Sequence, residues 1–194
     1  MRVEQGTDMR DEELATLVQG GDTEQFGVLV ERYEKKLLRY GRKFISAKED
    51  VEDMVQEVFM RAFKNIRSFD ATQRFSPWLY RIAHNTFVNA LKKGSRDPLL
   101  FVDFDTFLPH PAYDDPAERE RERRELRALI DQGLERLAAK YREALILYYL
   151  EDLSYKEMSE VLHAPVSTVG IRLSRAKKAL REAYRGLNIT YGEQ

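Results

Sequence analysis

Six large apolar side chains, Phe26, Leu29, Tyr33, Leu37, Tyr40 and Phe44, recur at intervals of three and four residues. That spacing gathers them on one face of an α-helix and would scatter them over both faces of a strand. The same period returns in Val51, Met54, Val55, Val58, Phe59 and Ala62, and in Leu79, Ile82, Ala83, Thr86, Phe87, Ala90 and Leu91. It returns again in Val169, Leu173, Ala176 and Leu180. No stretch alternates as a half-buried strand does, and no internal repeat or low-complexity tract appears. The chain is therefore predicted to be all-α.

Local signals place the helix ends. Leu14, Leu17 and Val18 mark a short first helix, and Asp22 with Gln25 reads as a capping box for the second. Ser46 with Glu49 is expected to open a third. Ser76-Pro77 reads as an N-cap followed by proline at the first helical position, with Gly94 as the stop. Phe63 and Phe87 are expected in the core. Between Gly94 and Ala117, Pro98, Pro109, Pro111 and Pro116 forbid helix, so an extended linker is predicted. Its apolar residues, among them Leu99, Phe101, Phe104 and Phe107, should dock on this protein or on a partner. Helix resumes near Ala117, with a buried helix from Ala144 to Leu150 and a short helix capped by Ser154 and Glu157. A turn follows at His163-Ala164-Pro165, then a last long helix capped by Ser167. The expected architecture is two small helical domains, 1–93 and 118–194, joined by an extended acidic linker, 94–117.

Charge follows the same division. The 194 residues carry a net charge of only −1, yet residues 61–96 hold +7 and residues 166–194 hold +4. Between them residues 97–118 hold −6. Two basic blocks separated by an acidic one suit two contacts with a polyanion, although any single run also fits a solvated helix face.

The chemistry of a small-molecule enzyme is not visible. The chain has no Cys, which excludes disulfides, thiolate metal sites and a Cys nucleophile. His84, His110 and His163 lack metal-ligand spacing. Gly20, Gly21 and Gly27 match no phosphate-binding fingerprint, and no cofactor is expected. At 43% hydrophobic and 34% charged, with no apolar run near the 20 or so residues a bilayer requires, the chain is expected to be soluble and not inserted in a membrane. Met1 to Met9 lacks an export signal, so a cytoplasmic protein is expected. No appended sensor domain is expected after the short stretch that follows the last helix.

Two patterns point to nucleic acid. The short capped helix, tight turn and longer basic helix near the C-terminus form a helix-turn-helix, with Arg172, Arg175, Lys178 and Arg181 on the last helix. A plain helical hairpin with a basic outer face is the alternative. In the N-terminal half Phe69 and Phe75 lie in a polar loop beside Asn65, Ser68, Thr72 and Gln73. An aromatic loop flanked by Lys and Arg suits unstacked bases, where each stacking contact is worth about 1–3 kcal/mol.

The segments Asp50-Val-Glu-Asp-Met-Val-Gln-Glu-Val-Phe-Met-Arg-Ala-Phe63 and Phe75-Ser-Pro-Trp-Leu-Tyr-Arg-Ile-Ala-His-Asn85 resemble the extracytoplasmic-function sigma factors of bacterial RNA polymerase. So do Asp152-Leu-Ser-Tyr-Lys-Glu-Met-Ser-Glu-Val-Leu162 and Pro165-Val-Ser-Thr-Val169. The match runs from about Asp11 to Tyr184 in the family's order. The resemblance implies binding to core RNA polymerase, recognition of −35 and −10 promoter elements, and promoter opening, with no catalysis by the chain itself. It implies that Asp53, Gln56 and Glu57 face the polymerase clamp helices. Asn65, Phe69 and Asn85 would shape a pocket for a flipped −10 base, with Trp78, Arg81, Asn89 and Lys92 supporting the melted strand or upstream duplex; a largely structural role is the alternative for Trp78 and Arg81. The linker would thread toward the active site and RNA exit path. Arg175 and Ser174 would read the −35 element, with Ser167 and Thr168 on phosphates and Lys178 on the same basic face. An anti-sigma protein would cover the polymerase-binding surfaces.

Gly170 and Ile171 stand where the family often carries a basic and then a small polar residue. Direct reading there is expected to be weaker, or to rest on apolar contact from Ile171 to a thymine methyl. His163 stands in place of a common turn glycine and is expected to be left-handed. Two other readings account for part of the pattern: a dimeric helix-turn-helix regulator, and a polymerase-binding adaptor that no longer reads promoters.

Overall fold

The computed structural model describes residues 9–42, 44–45, 47–94 and 137–184. The chain divides into two compact units, Met1–Leu100 and Phe101–Gln194. The described residues are helices and turns, with no strand among them. The 94–117 linker, apart from Gly94, and the start of the helix expected near Ala117 lie outside the described residues.

The first unit holds four helices: α1 (Asp11–Gln19), α2 (Gln25–Gly41), α3 (Lys48–Asn65) and α4 (Phe75–Gly94). A 3-10 turn, Ile66–Ser68, follows α3 directly. The predicted apolar stripes meet in one core, where Leu14, Leu29, Leu37, Tyr40, Val58, Leu79, Tyr80, Ala83 and Phe87 are wholly enclosed. Burying one such side chain contributes about 1.5–3 kcal/mol. At the end of α2 the helices come so close that a Cβ on Gly41 would sit 2.5 Å from Cζ of Phe87. Phe44 is not the last turn of α2, as its spacing suggests, but lies in the turn beyond and stacks on Phe87 at 5.7 Å. α1 is tied to α2 where Arg32 and the Tyr33 hydroxyl both donate to the Asp11 carboxylate.

Three of the predicted starts in this unit differ. Gln25 does bond Asp22, side chain to side chain at 3.3 Å, but α2 begins at Gln25 with Glu24 before it, so the pair is not a capping box. The residue before α3 is Ala47, with no side-chain cap; Ser46 lies outside the described residues. α4 starts at Phe75, which puts Ser76 and Pro77 inside its first turn. Proline is tolerated there because the first four amides of a helix have no intrahelical acceptor.

The second unit holds α5 (Ala139–Leu145), α6 (Tyr155–Leu162) and α7 (Val166–Tyr184). α5 continues as a π-turn, Ile146–Leu150, in which the Glu151 amide donates to the Ile146 carbonyl at 3.1 Å. Ala144 to Leu147 are fully buried, as the apolar run predicts. Ser154 caps α6 with a complete capping box: the Glu157 amide donates to Ser154 Oγ, and Glu157 Oε2 accepts from the Ser154 amide at 2.7 Å. His163 ends α6 in the left-handed region, at φ 50. α7 begins one residue before Ser167, which therefore sits in the first turn rather than at the cap.

Candidate functional site

Three surfaces carry the residues singled out in the sequence. The first is the loop between α3 and α4. Its shape is set by short-range bonds: Asn65 Nδ2 donates to the Arg61 carbonyl, Ser68 Oγ to the Asn65 carbonyl, and Thr72 donates through both its amide and its hydroxyl to Asp70 Oδ1. Those two bonds from Thr72, the hydroxyl's first, hold the Asp70 carboxyl below the usual aspartate range. The loop's aromatic residues do not stand open to solvent. Phe69 is 5% exposed and Phe75 1%, and their rings meet at 5.4 Å, with Trp78 tilted against Phe69 at 5.3 Å. The expectation of free stacking rings fails because these rings gain more by packing on each other than their polar neighbours suggest. Phe69 is therefore packed against Phe75 and Trp78 and not open to solvent. Asn65 and Arg81 are exposed, and Trp78 and Asn85 are half-buried. Lys92 lies on the last turn of α4.

The second surface is a cleft of about 760 Å³ between α3 and α4. Phe44, Met54 and Leu91 contribute apolar lining, and Asp50, Asp53, Glu57, Arg61 and Asn89 the polar lining. Asp53 and Glu57 are therefore brought together, and Asn89, grouped in the sequence with the strand-supporting residues, shares their cleft. Glu57 accepts from Arg61 one turn along α3 at 2.9 Å. Gln56 is exposed on the same helix. Two neighbours on that outer face were not singled out for a role. Met60 is 56% exposed, and Phe63, expected in the core, is 41% exposed and only edges onto Phe26 at 5.1 Å. Their spacing from Gln56, four and seven residues, was the available signal.

The third surface is the α6–turn–α7 unit. The Ala164 amide donates to the Ser159 carbonyl and Ser159 Oγ to the Ala164 carbonyl at 2.6 Å, closing the turn from both sides. On α7, Ser167 and Lys178 are exposed, and Thr168, Ser174 and Arg175 are half-buried. Lys178 pairs loosely with Glu182 at 3.9 Å. Two expectations are overturned here. Ile171 is 7% exposed and Arg172 9%, so neither stands on an open groove-facing stripe. The five residues from Val169 to Leu173 are all buried, which is more than one full helical turn. An isoleucine on an otherwise polar stripe gains by being covered, and Gly170, buried beside it, is not an open reading position.

No group of three or more His, Cys, Asp or Glu arranged to hold a metal occurs among the described residues, and no described helix is long and apolar enough to cross a membrane.

Residues 29–97 match the family model of sigma-70 region 2, and residues 127–180 that of sigma-70 region 4. The chain is 33% identical over 184 residues to the ECF RNA polymerase sigma factor SigW of Bacillus subtilis, across 88% of this chain and 94% of that one. It is 34% identical over 187 residues to the RNA polymerase sigma-H factor of Pseudomonas aeruginosa, across 93% and 97%. Among solved structures, CnrH in complex with the cytosolic domain of CnrY matches with a TM-score of 0.61 and 26% identity over 91% of this chain and 97% of that one. The sigma factor RpoE in complex with the anti-sigma factor NepR from Bartonella quintana shares the fold, with a TM-score of 0.57 and 24% identity over 82% and 96%.

Proposed function

The chain belongs to the extracytoplasmic-function sigma factors of RNA polymerase, and on that premise we propose how its two units divide the work of promoter recognition. Its function is that of its family: it binds core RNA polymerase, recognises promoter DNA and promotes transcription initiation. It supplies specificity and no catalytic group, and it acts where the polymerase is, in the cytoplasm.

The outer face of α3 is the polymerase-binding surface. Asp53, Gln56 and Glu57 supply its polar contacts, and Met60 extends it with an exposed apolar one. The loop after α3 receives the melted −10 strand. Asn65 and Asn85 offer both donors and acceptors to the edge of a flipped base, Phe69 forms the floor beneath, and Arg81 and Lys92 add positive charge for the strand's phosphates. Trp78 holds the floor by packing on Phe69. Flipping a base out of the stack costs a few kcal/mol, so a pocket that holds it favours the open promoter. Asn89, which lines the cleft beside Asp53 and Glu57, belongs with the polymerase-facing group as well as with the upstream strand.

The second unit reads the −35 element through α7. Ser174 and Arg175 face bases, and Ser167 and Thr168 lie at the helix N-terminus, where backbone amides favour phosphate. Lys178 adds a further cation. The acidic stretch 97–118, with its charge of −6, suits a channel that later holds RNA. An anti-sigma partner covering the polymerase-binding face is consistent with the partners named for CnrH and RpoE.

The observation that carries this reading is that both sigma-70 regions match in order, one on each compact unit. Transcription by the purified chain with bacterial core polymerase from a randomised promoter library tests it. Transcripts sharing two spaced upstream elements are expected, and Asn85→Ala should abolish opening while leaving core binding intact. A stable complex with core that initiates nowhere would overturn promoter reading.

A further inference from the structure

The α3–α4 loop is shaped by its own residues but placed by another helix. The bonds from Ser68, Asn65 and Thr72 all span four residues or fewer, so they fix local geometry and not position. Three long-range hydrogen bonds reach the loop from α1. Gln19 Nε2 donates both of its hydrogens, to the Ile66 carbonyl at 2.8 Å and to the Phe69 carbonyl at 2.7 Å, across 47 and 50 residues of sequence. At the loop's far end Glu12 Oε1 accepts from the Phe75 amide at 2.9 Å, 63 residues away. Glu12 thereby caps the first amide of α4, the part the sequence suggested for Ser76. Both side chains are half-buried, where hydrogen bonds are least replaceable by water.

We propose that α1 is the brace of the strand-receiving loop, with Gln19 and Glu12 as positioning residues that hold Ile66, Phe69 and Phe75 in the arrangement a flipped base requires. The three anchors bracket the loop: one holds the 3-10 turn at Ile66, one holds the Phe69 backbone, and one sets where α4 begins. Neither side chain touches DNA. Their effect is to keep the Phe69 floor and Asn65 at fixed separation before the strand arrives, so that binding does not first have to order the loop. This proposal rests on the reading of the loop as the −10 strand site.

The test compares Gln19→Met, Gln19→Lys and Asn65→Ala in holoenzyme. The probe is a fluorescent single-stranded oligonucleotide carrying the downstream element that the wild-type holoenzyme selects from a randomised library. Met matches Gln in size and cannot donate, so Gln19→Met should weaken strand binding about tenfold while core affinity stays within about twofold. Gln19→Lys keeps a donor and should recover part of the loss. A role confined to packing predicts unchanged strand binding for the methionine variant, and that result overturns the brace. Loss with Asn65→Ala but not with Gln19→Met refutes the brace alone. No loss with either refutes the strand site and the brace together. Glu12→Leu, acting at the opposite end of the loop, should repeat the methionine pattern; strand binding at wild-type strength in it would likewise count against the proposal.

Discussion

Asp70 is the lone acid among residues 61–96, whose net charge is +7, and the structure gives it a local task. Its carboxylate accepts from the Thr72 hydroxyl at 2.7 Å and from the Thr72 amide at 3.0 Å, which closes the turn beside the Phe69 floor. Both bonds favour the ionised form, so the folded carboxyl titrates below its unfolded value. The turn's stabilisation is fully present above the unfolded aspartate value and is lost as pH falls through the lower folded one. Thr72→Val removes the larger of the two causes, so the Asp70 carboxyl, followed by NMR, should titrate closer to an ordinary aspartate; an unmoved titration would refute the assignment. The same residues show what sequence hides. Ser68, Thr72 and Gln73 around Phe69 looked like an open polar loop, yet Phe69 is enclosed by Phe75 and Trp78. Polarity of neighbours in sequence says nothing about partners that fold brings from α4. Ile171 misleads in the same way, since its burial depends on what covers α7 and not on its own helical position.

Among the helices, legibility tracks how local the determining contact is. The capping box of α6 was readable because Ser154 and Glu157 lie three residues apart and bond each other. The left-handed His163 was readable through the resemblance, because it stands in place of a common turn glycine. The cap of α4 was not, because its acceptor is Glu12 on a different helix. The apolar stripe of α3 was legible, but its outer face was not, since periodicity separates core from surface without marking which surface is used. Met60 shows this: it is more than half exposed, in line with Gln56, on a face with no role in the core. Burying the rest of a methionine against polymerase is worth about 1 kcal/mol, half the value of full burial. Met60→Ser should therefore weaken binding to core about fivefold, while unfolding in urea shifts by less than about 0.5 kcal/mol, as expected for an exposed site. Core affinity unchanged by the substitution would place the polymerase contact elsewhere on α3.

Over the whole molecule, charge segregation fixes the order of events. A free chain with a net charge of −1 carries its cations in two blocks, +7 in residues 61–96 and +4 in residues 166–194, with −6 between them. Binding to duplex DNA draws its strength from counterions released by phosphate contacts, and each contact adds about 0.9 to the slope of affinity against salt. One basic block engaged alone makes few such contacts, and the acidic segment opposes them. The loop proposed to capture a base would contribute nothing to intact duplex, because its target is a nucleotide outside the stack. The free chain should therefore bind promoter duplex no more tightly than about 1 μM at physiological salt, in the range of non-specific association. Joined to core polymerase, both basic blocks would engage at once, so the second contact would be made at high effective concentration. Holoenzyme binding to the same fragment should be at least about a hundredfold tighter. Nanomolar, salt-steep binding by the free chain would contradict this order and support a stand-alone duplex reader. Fluorescence anisotropy of one labelled promoter fragment, titrated with free chain and with holoenzyme at several salt concentrations, decides between them.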